Sequence, residues 1–163
     1  MIAIRAHHLL CMLEALALEP PHRRLFAEHG TLNRVAGMLR DNPEIPVKVV
    51  AGADDICLPC PFWSREKGYC GKAPEKQPEI DRQRYQMDTA LLRILGWDQG
   101  LIGSARQLYG TIANQITGAA VAQEICAPCP DAAVCAGRFS QSIASTLKAF
   151  GVLMMARNER SQD

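Results

Sequence analysis

The residues most able to do chemistry in this chain are cysteines, and they come in matched sets. Residues 56–61 read I-C-L-P-C-P and residues 125–130 read I-C-A-P-C-P. Each copy is followed by a further cysteine, Cys70 after the first and Cys135 after the second. The pairs Cys57/Cys60 and Cys126/Cys129 have the tight C-x-x-C spacing that turns two thiolates toward one metal. The gaps to Cys70 and Cys135 are long enough for the chain to return to the same centre. Each triplet therefore offers three soft ligands, whereas a tetrahedral zinc or a cubane iron–sulphur cluster takes four.

The missing ligands have candidates near the N-terminus. His7, His8 and Cys11 fall on one stretch of expected helix, where i, i+3 and i, i+4 neighbours share a face. Seven cysteines and one histidine make eight ligands, the number that two four-ligand centres require. Spacing alone leaves open whether the triplets meet at one centre or hold two, and which histidine takes part. Thiolate-rich sites suit both zinc and iron–sulphur clusters. Proline follows both C-x-x-C pairs, and apolar residues surround them (Ile56, Leu58, Phe62 and Trp63; Ile125 and Ala127). Lost N–H donors and a dry shell tune a cluster's potential, which favours iron–sulphur over zinc.

Composition bounds the rest. The chain has 163 residues, 48% hydrophobic and 21% charged, which suits one domain of 1–163 with a real core. A net charge of +1 and 6% aromatic residues give no field or stacking platform for nucleic acid. No apolar run approaches a membrane span, since Glu14 and Glu19 interrupt the richest one. The start has no leader pattern, so the expected compartment is the cytoplasm. Disulfides are rare there, and seven is an odd number for a disulfide framework.

The elements that must position these ligands are mostly helices. Residues 1–5 alternate as a short strand, and helix is expected from Ala6 to about Leu18, ended by Glu19-Pro20-Pro21. Leu25, Leu32, Val35 and Leu39 mark a second helix, which Gly30-Thr31 can split with Thr31 as N-cap. Val47–Val50 is the other strand, and pairing it with residues 2–4 makes a minimal two-stranded sheet. Pro78 suits the first turn of a helix whose inner face is Met87, Leu91, Ile94 and Leu95, with Gly96 as its stop. Ser104–Glu124 reads as one alanine-rich helix. Residues 125–137 read as the second cysteine loop. A closing helix over about 139–156 comes next, with Phe139, Ile143, Leu147, Phe150 and Met154 on its face. The expected fold is a mainly α single domain carrying two cysteine-bearing metal loops.

The ordered combination Arg5-Ala6-His7-His8-Leu9-Leu10-Cys11, Asp54-Asp55-Ile56-Cys57-Leu58-Pro59-Cys60-Pro61, Cys70, Ile125-Cys126-Ala127-Pro128-Cys129 and Cys135 resembles a bacterial and archaeal family. That family is domain of unknown function 1284, whose members are described as candidate iron–sulphur-binding proteins. The resemblance covers about residues 4–138, and Ala6 stands where the family is expected to carry proline. It implies an iron–sulphur protein but supplies no reaction.

Other signals are weaker. Asp54-Asp55 reads first as a pair of turn residues, and second as an acceptor that orients a histidine ligand, with Asp55 the better candidate. Arg23-Arg24 and Arg82/Arg84 read as solvated faces, because acids intersperse them. Trp63 and Tyr69 can shield a cluster or pack beneath the loop. The leading functional expectation is a small protein with one or two clusters, 4Fe-4S favoured, passing electrons to a redox partner protein. The alternatives are a zinc-stabilised interaction domain and an enzyme whose cluster keeps one iron open beside His7 or His8.

Overall fold

The sheet is built from segments far apart in sequence. A computed structural model describes residues 1–17, 28–61, 63–66, 69–70 and 77–152, with the side chains of residues 69, 70, 77 and 78 outside that description. Strand β1 (Ile2–Arg5) pairs in parallel with β2 (Pro46–Val50), Ile2 opposite Val47 and Arg5 opposite Val50. A third strand, β5 (Ile102–Ser104), runs antiparallel to β2, with Val47 opposite Gly103. The sheet order is β1-β2-β5. The mainly α class holds, but the expected two-stranded sheet gains a third strand. A separate two-stranded ribbon, β3 (Trp63–Ser64) with β4 (Tyr69–Cys70), lies inside the first cysteine loop.

Parallel strands need a crossover, and helices supply it here. Helix α1 (Ala6–Cys11) leaves β1 directly, and Met12 breaks it from α2 (Leu13–Leu16). The apolar run expected as one helix is therefore two short ones. Helix α3 (Gly30–Asp41) returns the chain to β2 and buries Leu32, Val35 and Leu39. Its cap is His29, which accepts from the Leu32 N–H at 3.4 Å, so Thr31 lies inside the helix. Leu25, Arg23, Arg24 and Met154 lie outside the described residues.

Helix α4 (Gln77–Leu95) ends at Gly96, whose φ of 63° is the left-handed value that glycine adopts freely. Met87, Leu91, Leu92 and Leu95 are buried along it. Helix α5 (Ala105–Gln115) opens with a reciprocal Ser104–Gln107 capping box. It does not run on to Glu124. Ile116 turns extended, Thr117 caps Ala120, and the chain resumes as α6 (Gly118–Ala120) followed by a π-helical turn over Val121–Ile125. The last helix, α7 (Ala132–Ala149), starts well before Phe139, so Cys135 rides on a helix rather than in a loop.

One apolar cluster joins β1, β2 and most of the helices, with Tyr109, Phe150, Ile4, Leu9, Leu91 and Ile112 fully inside. The Tyr109 hydroxyl donates to the Leu9 carbonyl at 2.8 Å, which ties α5 to the end of α1. Buried Thr146 donates to Ser142 and Leu13 carbonyls, and Arg138 donates to Glu14 at 2.8 Å, fastening α7 to α2.

Gly118 is the tightest backbone approach near the cysteines. A Cβ there would lie 2.7 Å from the Ala136 carbonyl oxygen, one residue past Cys135. Gly118→Ala is expected to cost about 1–3 kcal/mol, because a backbone atom must give way. Gly110→Ala, in open space within α5, should instead gain about 0.5–1 kcal/mol. Paired thermal melts of the two variants check the contrast.

Candidate metal centres

Both copies of I-C-x-P-C-P fold into the same backbone shape. In the first, the Cys60 N–H donates to the Cys57 carbonyl at 2.9 Å and the Trp63 N–H to the Cys60 carbonyl at 2.9 Å. In the second, Cys129 donates to Cys126 at 2.7 Å and Ala132 to Cys129 at 3.2 Å. Two successive i to i+3 turns thus place each thiol pair, and both prolines sit where no N–H is needed. The exits differ. After the first copy the β3–β4 ribbon folds the chain back, so the Cys70 backbone lies opposite Trp63. After the second, α7 begins at once and carries Cys135 in its first turn, held by an N–H bond to the Asp131 carbonyl at 3.0 Å.

The π turn sets the entry to the second copy. The Cys126 N–H reaches back five residues to the Val121 carbonyl at 2.8 Å. One extra residue in the turn rotates the chain and re-aims the cysteine turn beyond it, a device that recurs at functional sites.

All six cysteines whose side chains are described are free thiols. Cys11, at the end of α1, belongs with the second set. Burial pushes its thiol well above the usual range, and Cys126, Cys135 and Cys129 push it further. Cys126 is pushed up to about 12 by burial, then by Cys129 and Cys135. Cys135 rises to about 11 by burial, then by Cys129. Burial also raises Cys129, with Arg84 partly relieving it. Four thiols crowd one region, each making its neighbours' ionisation harder. A cation among them would remove that penalty, and its uptake would release protons.

The first set has different company. Asp54 is 1% exposed, and four donors converge on it. One oxygen accepts from the Arg5 N–H at 2.8 Å and from His8 Nδ1 at 2.7 Å. The other accepts from the N–H groups of Ile56 at 3.1 Å and Cys57 at 2.8 Å. Burial opposes the Asp54 charge, but the His8 hydrogen bond and the backbone donors win, and its pKa is lowered. Asp54, rather than Asp55, is thus the acid that meets a histidine, and it also accepts from the turn N–H groups that follow it. Asp55 accepts only from the Ala3 N–H at 2.8 Å among the bonds its side chain forms with described residues. His8, Asp54 and Cys57 each bring a possible ligand atom within 4.8 Å of the other two. Burial, then Asp54, lifts the Cys57 thiol to about 12.

His7 turns to a second carboxylate. Its Nδ1 lies 2.7 Å from Asp88 Oδ1, which also accepts from the His7 N–H at 3.1 Å. Asp88 Oδ2 takes Arg5 Nε at 2.9 Å and Arg5 Nη2 at 2.8 Å. Asp88 is fully buried. Burial lowers the His7 pKa to about 4, so its ring is neutral at pH 7, with Nδ1–H donating to Asp88. The Asp88 carboxyl stays ionised because His7 and the Arg5 guanidinium together outweigh burial. Sequence reading missed Asp88. The available signal was an acid on the inner face of α4, one residue from Met87 and three from Leu91.

These parts surround one cavity of about 440 Å³. Cys57, Cys60 and Trp63 line it from the first loop, Cys129 and Pro128 from the second, and His7, His8 and Cys11 from α1. Ile56, Leu32, Ile80 and Met87 supply apolar wall, and Arg84 also reaches it, while Arg82 points outward to Glu79. Arg84 is therefore not the solvated residue that its neighbourhood suggested. The Cys70 and Tyr69 side chains lie outside the described residues. Among the described residues no helix is long and apolar enough to cross a membrane.

A family model described as protein of unknown function (DUF1284) matches residues 25–135. No curated protein and no solved structure matches the chain. The matched span holds both triplets, Asp54 and Asp88, and begins after His7, His8 and Cys11. More than half of the chain is covered, ending on the last ligand-type cysteine, and the chain belongs to the DUF1284 family.

Proposed function

We propose that this is a small iron–sulphur-cluster-binding protein of the cytoplasm that passes electrons to a protein partner. The observation that carries the reading is that four free thiols, Cys11, Cys57, Cys60 and Cys129, line a single cavity, with Cys126 and Cys135 close behind Cys11. The donor set fits a cluster: sulphur ligands, shared burial and apolar walls.

When bound, a cluster supplies one-electron redox chemistry. The chain supplies the rest. The paired turns hold the thiols, the π turn and α7 aim the second set, and Trp63, Ile56 and Met87 give the cavity apolar wall. Asp54 and Asp88 hold the two imidazoles in fixed tautomers.

Purification without oxygen should give a brown protein with iron and acid-labile sulphide. Its broad absorbance near ~400 nm should bleach with dithionite. Colourless protein that retains stoichiometric zinc from iron-supplied cells would sink this reading. One observation favours that zinc alternative, namely the compact trio of His8, Asp54 and Cys57. Both Asp54 oxygens are already occupied by four donors, however, so Asp54 orients its neighbours rather than binding metal.

A further inference from the structure

The two thiol groups differ in one respect that is independent of their cysteines. Among the described residues, only the first has a histidine joined to it through a shared carboxylate. Asp54 accepts from His8 Nδ1 through one oxygen and from the Cys57 N–H through the other. A single buried carboxylate therefore sets the imidazole and the first cysteine of the loop against each other. Asp54 is ionised and accepts only, so the shared proton is on Nδ1, and Nε2 is the ring nitrogen that Asp54 does not engage. His8 lines the cavity beside Cys57 and Cys60. This is how proteins present a histidine to a metal, with the far nitrogen tied back to a carboxylate.

His7 is held differently. Its carboxylate, Asp88, spends its other oxygen on the Arg5 guanidinium and the Gly52 N–H at 3.3 Å. No cysteine shares that carboxylate among the bonds formed by described residues. Cys11, one turn beyond His7 on α1, lines the cavity with Cys129, and Cys126 and Cys135 lie near enough to raise its thiol as well. Helix α1 thus offers a nitrogen to one group and a sulphur to the other.

Building on the iron–sulphur reading, we propose that the two centres are chemically unlike: His8 Nε2 ligates the centre of Cys57 and Cys60, and Cys11 completes an all-sulphur centre with Cys126, Cys129 and Cys135. A neutral imidazole in place of a thiolate leaves its cluster one negative charge lower, and such exchange raises the reduction potential. The nitrogen-ligated centre is then the acceptor within the pair. An electron delivered to the all-sulphur centre by a protein donor moves across the shared cavity. The donor centre is reoxidised, the acceptor is reduced, and no bond forms or breaks.

Pulsed electron paramagnetic resonance of the dithionite-reduced, cluster-loaded protein tests this directly. Wild-type protein grown on 15N-histidine should show a strong nitrogen coupling that changes isotope with the label. His8→Cys should lose that coupling, keep its iron, and lower the potential of one centre while the other stays put. His7→Gln should retain the coupling. Cluster-loaded wild-type protein without a strong histidine coupling overturns the inference and leaves the iron–sulphur reading standing. So does a coupling that survives His8→Cys or vanishes in His7→Gln. If His8→Cys does not fold, the isotope result on wild-type protein and His7→Gln still decides. Absence of iron and sulphide removes the parent reading, and the inference with it.

Discussion

Asp88→Ala is expected to destabilise the fold by about 3–5 kcal/mol, the usual cost of leaving a buried charge without its partner. Total stabilities of single domains run at about 5–15 kcal/mol, so this is a large share. The stranded charge is Arg5, which is 5% exposed. Burial works against that guanidinium, and the Asp88 carboxylate outweighs it. The loss does not stop at the ion pair. The N–H groups of His7 and Gly52 and the His7 ring also lose their acceptor. Asp88→Asn keeps the shape and one acceptor oxygen, and should fall between wild type and alanine. Urea titrations of the three proteins, followed by far-ultraviolet circular dichroism, give the ordering. Equal midpoints for wild type and Asp88→Ala would show that the network is not what holds β1, α1 and α4 together.

If the proposed clusters are bound, stripping them should produce the other large effect, and a strongly localised one. Amides of Cys60, Trp63, Cys129 and Ala132 hold the two cysteine loops through single turn bonds. Without a metal the second loop keeps only these turn bonds, whereas the first also has Asp54 accepting from the Ile56 and Cys57 N–H groups. Their hydrogen-exchange protection is expected to fall by about a hundredfold or more on anaerobic iron chelation, the behaviour of segments at the low end of local stability. Ile4, Val47, Leu91 and Ile112 sit in the apolar core and should keep most of theirs. Exchange that rises uniformly across loops and core would instead mean that the clusters hold up the whole fold.

Local sequence carried the helices and the ligand types, and non-local contacts carried the rest. Leu32, Val35 and Leu39, and Met87, Leu91 and Leu95, repeat at helical spacing and are buried as that spacing implies. The C-x-x-C turns are readable because their hydrogen bonds close within three residues. Strand β5 is not, since its three residues make sense only against β2, more than fifty positions away. The break at Ile116-Thr117 is hidden by alanine-rich periodicity on both sides, and only the Thr117 cap marks it. The early start of α7 is hidden because Asp131-Ala132-Ala133 comes after a cysteine loop and looks like its continuation. Sequence alone favours Asp55 over Asp54, wrongly. The choice depends on which carboxylate the sheet turns inward, and β1 decides that through the Arg5 N–H. Asp88 gains its meaning only when α4 packs on α1.

Helix α1 has only six residues, far too few to persist alone in water. On the ribosome it emerges before the groups that fix it: Asp54, then Asp88, then the cysteines from 126 to 135. The His8 side can close once the first loop has been made, whereas the Cys11 side must wait for nearly the whole chain. Cofactor loading during synthesis would therefore have a built-in sequence, histidine centre first. A truncated or stalled chain would carry a half-complement at most.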